Sequence, residues 1–164
     1  IEGIDDSKKL KEGERTRLAA LIRERAIAYA VCEEDNRTVD RINILEATRL
    51  CMKRAVEILV PGPDIVVTDG NFRLDISLPQ QNIIHGDALS YCIGAASILA
   101  KVYRDEEMKK FAEIYPQYGF EKHKGYGTKA HLDAIREYGL CEIHRRTFTK
   151  KFSAEREKNS PRDT

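Results

Sequence analysis

The sequence has no long apolar run. Stretches such as Ile65-Val66-Val67 fall far short of the ~20 residues that a membrane-crossing helix needs, which excludes a membrane-embedded class. No secretory leader is read at the start, where Ile1-Glu2-Gly3-Ile4-Asp5-Asp6 is neither basic nor apolar. Cysteine pairs are missing too. Cys32, Cys51, Cys92 and Cys141 stand far apart without a Cys-x-x-Cys unit, against a zinc ribbon or a thioredoxin-type redox site. His85, His123, His131 and His144 lack a His-x-x-x-His spacing, so histidine-bound zinc is not expected. No internal repeat is visible. These absences leave a charge-rich globular protein of the cytoplasm with reduced thiols.

What is present is an even mixture, 41% apolar and 34% charged over 164 residues, long enough for one self-sufficient core. The net charge of +1 hides a gradient, −3 over residues 1–100 and +4 over residues 101–164. Such a basic flank suits either a phosphate-binding surface or solvated helix faces.

Periodicity predicts an amphipathic helix over Glu12–Glu24 and a doubly covered strand over Ala26–Cys32. A second helix starts at a Thr38 cap and is stopped by Pro61-Gly62-Pro63. Ile65 to Thr68 reads as a strand ending at Asp69-Gly70. Phe72, Leu74, Ile76 and Leu78 alternate like a second strand, and Ile83-Ile84 makes a third. A long helix runs from Ala88 to Ile114, where Tyr115-Pro116 ends it; its small residues Gly94 to Ser97 invite a close neighbour. A glycine-rich loop, Tyr118 to Gly127, precedes a helix capped by Thr128 and stopped by Gly139. The expected architecture is α/β: a mixed β-sheet flanked by helices, a helical C-terminal part, one domain over residues 1–151, and a disordered tail over 152–164.

Four places are candidates for chemistry. Asp69 ends a buried strand, where open α/β sheets bind ligands, although Asp-Gly is also a hairpin signal. Asp87 opens the long helix, where it can cap free amides, and a carboxylate has lone pairs for a second partner. If the fold joins the two acids, a cation or a shifted pKa must offset their repulsion, and oxygen-only ligands favour Mg²⁺ or Mn²⁺. In Lys122-His123-Lys124-Gly125-Tyr126-Gly127-Thr128-Lys129, lysines surround a tyrosine that either stacks on a nucleotide or packs into the core. Ser7 and Lys8 either reach phosphate oxygens or serve a helix start.

Together these segments resemble the type 2 ribonuclease H family, bacterial ribonuclease HII. The matching blocks are Asp6-Ser7-Lys8-Lys9-Leu10, Arg41 to Thr48, Thr68-Asp69-Gly70-Asn71-Phe72, Gly86-Asp87 and Ala95 to Asp105. They continue through Tyr115 to Phe120, His123 to His131 and Ile143 to Phe148, so the resemblance covers residues 1 to about 150.

The resemblance implies a ribonuclease-H-like fold and an endonuclease that cuts the RNA strand of RNA–DNA hybrids. It also implies incision 5′ of single ribonucleotides in duplex DNA, by two-metal-ion hydrolysis with Mg²⁺ or Mn²⁺, in a protein expected to be a monomer. Asp69 and Asp87 match two of the family's four metal-binding acids. Tyr126 matches the tyrosine that stacks on the deoxyribose at the RNA–DNA junction, and Ser7 and Lys8 match a segment along the substrate backbone. The family opens with a strand bearing an Asp-Glu pair and a Gly-Arg-Gly motif. The sequence starts at Ile1, after that block, and Asp105-Glu106 inside the long helix does not replace it. The expectation is therefore a family member lacking its amino-terminal segment, and the alternative a catalytically incomplete nucleic-acid-binding fragment.

Overall fold

The computed structural model describes residues 1–150. In chain order the elements are α1 (Glu12–Arg25), α2 (Asn36–Glu57), β1 (Val66–Asp69), β2 (Gln80–Ile83), α3 (Gly86–Leu89), α4 (Tyr91–Ile114), a 3-10 turn (Pro116–Tyr118), α5 (Phe120–His123) and α6 (Lys129–Tyr138). They fall into two compact units. The first is Ile1–Glu34 with Leu45–Tyr103; the second is Asp35–Ile44 with the described residues from Arg104 onward. The tail expected over 152–164 lies outside the described residues. No helix among the described residues is long and apolar enough to cross a membrane.

In the first unit α1 buries Leu18, Ala19 and Ile22, one stripe at helical spacing, against Ile98, Leu99 and Val102 of α4. Each large side chain taken from water there contributes ~1.5–3 kcal/mol. Beside this core, β1 and β2 pair in parallel, with Val66 opposite Gln80 and Asp69 opposite Ile83. The α/β class is borne out, and the sheet among the described residues is this parallel pair.

The pairing corrects the hairpin alternative for Asp69-Gly70, because parallel neighbours need a crossover, not a tight turn. The crossover is the stretch with the period-2 pattern. Leu74 is buried, and Asn71, Arg73, Asp75 and Ser77 are exposed, so the pattern did report which side faces inward. It is not a strand, however. Gln80 accepts from the Leu74 amide at 2.8 Å and donates to its carbonyl at 2.9 Å, so a side chain takes the place of a ladder neighbour.

Three further expectations need correction. Ala26–Cys32 is not a strand: it has no ladder partner among the described residues, and Ile27 is 90% exposed. The cap of α2 is Asp35, whose carboxylate accepts the Thr38 amide at 2.7 Å, so Thr38 lies in the first turn. That helix is also interrupted at Asn43 (φ 68°, ψ 166°), a conformation that costs a non-glycine residue ~1–3 kcal/mol. Finally, the helix expected from Ala88 is two pieces, since Ser90 is extended between α3 and α4.

The second unit has its own core of Met108, Tyr118, Phe120, Ala134 and Ile135. Thr128 caps α6 as its sequence implied, accepting the His131 amide at 3.3 Å. The expected loop from Tyr118 is partly helical, containing α5 between Gly119 and Lys124, both left-handed. Tyr118 donates its hydroxyl to the Gly139 carbonyl at 2.9 Å, which ties α6's end to this turn.

Candidate metal centre and nucleic-acid-binding residues

Asp69 is the last residue of β1, and Gly70 leaves the strand at φ 109°, a conformation open to glycine. The strand end is exposed on its Asp69 side while Val66 and Thr68 are buried. The parallel register brings Ile83 opposite Asp69, and the Gly70 amide donates to the Ile83 carbonyl at 3.1 Å. Three residues later, the Gly86 amide donates to Asp69 Oδ1 at 2.9 Å. Asp87 is the next residue along. The fold therefore sets two acids, distant in sequence, at one end of one strand pair.

Gly86 makes this approach possible. A Cβ there would stand 2.5 Å from Ile93 Cδ1, 3.4 Å from Ile83 Cβ and 3.5 Å from Asp69 Cα. Gly94 acts similarly on α4, where a Cβ would meet Ile4 Cγ2 at 3.0 Å and the Asp87 carbonyl at 3.1 Å. The small residues expected to admit a close neighbour do so here. Gly94 is the shared neighbour of Asp87 and of the segment leading to Ser7.

Asp87 does not cap its helix. His85, in the left-handed region at φ 58°, occupies the cap position of α3 without a side-chain bond. The reason is geometric: Asp87 lies inside the first turn, and its half-buried carboxylate has no hydrogen bond or ion pair among the described residues. Asp69 likewise has no ion pair there, only the Gly86 amide. Two carboxylates of neighbouring segments without a lysine or arginine partner among the described residues are of the donor type that suits a hard divalent cation, which is bound through oxygen. The donor chemistry of the two acids fits such an ion; no group of three or more His, Cys, Asp or Glu among the described residues is arranged to hold a metal.

The other expected site residues have mixed placements. Ser7 is buried (3% exposed), and its hydroxyl shares a 2.8 Å hydrogen bond with that of Ser97 on α4. Lys8 is exposed, and its amide donates to Asp6 Oδ1 at 2.9 Å, a local turn that fixes the Ser7-Lys8 backbone. Tyr126 belongs to the second unit. The residue is 66% exposed, against the alternative of a tyrosine packed in the core. Its amide donates to the His123 carbonyl at 2.9 Å, and its carbonyl accepts the Thr128 amide at 2.8 Å.

Sequence reasoning missed a histidine group in that second unit. The His131 and His144 Nε2 atoms lie 3.1 Å apart, and the rings of His123 and His131 stack at 4.4 Å. A signal existed, since His131, Ala134 and Ile135 share the buried stripe of α6.

The sequence description of the Ribonuclease HII family matches residues 2–151. The chain belongs to the ribonuclease HII family. It is 53% identical over 150 residues to Ribonuclease HII of Caldicellulosiruptor saccharolyticus, an alignment covering 92% of this chain and 73% of that protein. It is 49% identical over 149 residues to Ribonuclease HII of Pelodictyon phaeoclathratiforme, covering 90% and 72%. The fold is similar to that of ribonuclease H2 from Pyrococcus horikoshii OT3, with a TM-score of 0.80 at 24% identity over 96% of this chain and 83% of that one. RNase HII of Archaeoglobus fulgidus, solved in complex with PCNA, gives 0.68 at 22% identity over 90% and 78%. These structural likenesses bear on the fold alone, a ribonuclease-H-like α/β arrangement.

Proposed function

We propose that this member of the ribonuclease HII family hydrolyses the RNA strand of RNA–DNA hybrids and nicks duplex DNA 5′ of single ribonucleotides, leaving 3′-hydroxyl and 5′-phosphate ends. It acts as a monomer in the cytoplasm. The observation that supports the reading is the bond from the Gly86 amide to Asp69 Oδ1, with Asp87 the next residue along the chain. Asp69 and Asp87 are the proposed metal ligands, for Mg²⁺ or Mn²⁺. Bound in a pair, such ions supply an activated water and stabilisation of the departing 3′ oxygen.

The chain's own residues orient the parts. The Gly86 amide occupies one lone pair of Asp69, fixing its carboxylate and leaving the other oxygen for a ligand. The Ser7–Ser97 bond holds the Asp6-Ser7-Lys8 turn, from which the Lys8 ammonium pairs with a backbone phosphate. Tyr126 offers its face to the sugar at the RNA–DNA junction.

A second reading, a binding module that does not cut, is favoured by one observation: the described residues bring together only two acids at this place. One assay separates the two. The 164 residues are incubated with Mg²⁺ and a duplex carrying one ribonucleotide. Nicking by these residues, or by a chain that also carries the Asp-Glu and Gly-Arg-Gly block implied by the resemblance, supports the first reading; binding without nicking by that longer chain supports the second. In that longer chain Asp69→Asn should abolish nicking and spare duplex binding. Undiminished nicking by the Asp69→Asn chain contradicts the reading.

A further inference from the structure

The histidines of the second unit have their protons assigned by their partners. His131 Nδ1 lies 2.9 Å from the Tyr126 carbonyl, which only accepts, so this nitrogen carries a proton. In a neutral ring its Nε2 is then bare. His144 Nδ1 accepts the Cys141 amide at 3.0 Å, with the Cys141 thiol also at 3.0 Å. The His144 proton is therefore on Nε2, and it donates across the 3.1 Å gap to His131 Nε2. His123 follows the same logic: Nε2 donates to the Tyr118 carbonyl at 2.8 Å, and Nδ1 accepts the Gly125 amide at 3.2 Å. With one proton on each ring so placed, every nitrogen of the three rings has a partner.

This chain of bonds ends on the backbone of Tyr126. Its carbonyl takes two donors, the Thr128 amide and His131 Nδ1; its amide donates to the His123 backbone carbonyl, and the Gly125 amide donates to His123 Nδ1. Lys124 and Gly125 turn in the left-handed region (φ 50° and 80°), and a Cβ on Gly125 would stand 3.3 Å from Met108 Cε, so the loop is seated on the core. These bonds hold the backbone, while Tyr126 as a residue is 66% exposed. A stacking group held in this way loses little conformational freedom when a ligand arrives.

We propose that His123, His131 and His144 are positioning residues, a run of neutral imidazoles that holds Tyr126 ready to stack on the nucleic acid. The proposal rests on the reading of Tyr126 as a substrate-binding residue. A second proton on any ring breaks a bond: on His131 it puts two N–H groups face to face at Nε2, and on His144 or His123 it opposes a backbone amide. Among the described residues, the charge of His123 acts on His131 and that of His131 on His144, while the His144 ring also meets His131 Nε2 and the Cys141 thiol. Burial, aided by the neighbouring imidazoles, keeps both rings below the ordinary histidine range.

Two measurements test the proposal. Long-range ¹H–¹⁵N spectra at pH 7 should show Nδ1–H for His131 and Nε2–H for His123 and His144; a His131 ring protonated at Nε2 overturns it. Fluorescence anisotropy with a singly ribosubstituted duplex, without metal, should show Tyr126→Ala weakening binding about tenfold. His131→Ala should weaken it several-fold in the natural background and by less than about twofold in the Tyr126→Ala background. His131→Asn, which keeps a donor for the Tyr126 carbonyl, should recover most of the loss and also serves if His131→Ala does not fold. Equal losses in both backgrounds, or no recovery by His131→Asn, overturn the proposal while the Tyr126 reading stands. Unchanged binding by Tyr126→Ala removes that reading and the proposal with it.

Discussion

Asp69 Oδ1 accepts the Gly86 amide at 2.9 Å, and this one bond joins the end of β1 to the start of α3. The bond needs Gly86 to be without a side chain. A Cβ there enters the space of the buried Ile93 and presses on Ile83 and Asp69. Gly86→Ala is expected to cost about 1–3 kcal/mol as overpacking, measured by urea unfolding. It should also weaken Mn²⁺ binding, because α3 and Asp87 must move away from Asp69. A stable variant with unchanged Mn²⁺ affinity contradicts this account of the bond.

The histidine run gives stability a direction in pH. Burial, then the neighbouring His131, pushes His144 down to about 4, and His131 is lowered for similar reasons. Each ring therefore binds fewer protons folded than unfolded below the ordinary histidine pKa of ~6.5. Stability is full above that value and falls as pH drops from ~6.5 towards 4. Between pH 7 and 4.5 the His144 share is on the order of 2 kcal/mol, or roughly 5 °C in melting temperature. Melting curves should show this loss, and His144→Gln should flatten it.

Thr128 accepts the His131 amide and so links the α6 start to the same loop. Thr128→Ala removes the cap and is expected to cost about 1 kcal/mol. Asp40 does a similar task for the helical stretch over 146–150, accepting the Arg146 amide at 2.7 Å and the Thr147 amide at 3.1 Å. Asp40→Ala should cost about as much. Chemical denaturation checks both.

The sequence made the local signals legible. β1, the end of α4 before Tyr115-Pro116, the Thr128 cap and the Gly139 stop all depend on residues within a turn of one another. Asp69 was readable because a buried apolar run ends in an acid and a glycine. What escaped needs partners distant in the chain. Phe72 to Leu78 has a strand's alternation, yet Gln80 supplies its bonds. Ala26 to Cys32 has a strand's composition without a ladder among the described residues. Asp87 looked like a cap because its rival, His85, reaches that position only through a left-handed backbone. The histidines at 123, 131 and 144 follow no ligand spacing, and only the folded second unit makes them neighbours.

Titration of Mn²⁺ into ¹⁵N-labelled protein tests the shared-cation claim most directly. The amide signals of Gly70, Gly86 and Asp87 should broaden first, and Asp69→Asn or Asp87→Asn should each suppress that broadening. Early broadening elsewhere in the protein, or broadening at these amides that neither substitution changes, contradicts the claim that Asp69 and Asp87 hold the metal together.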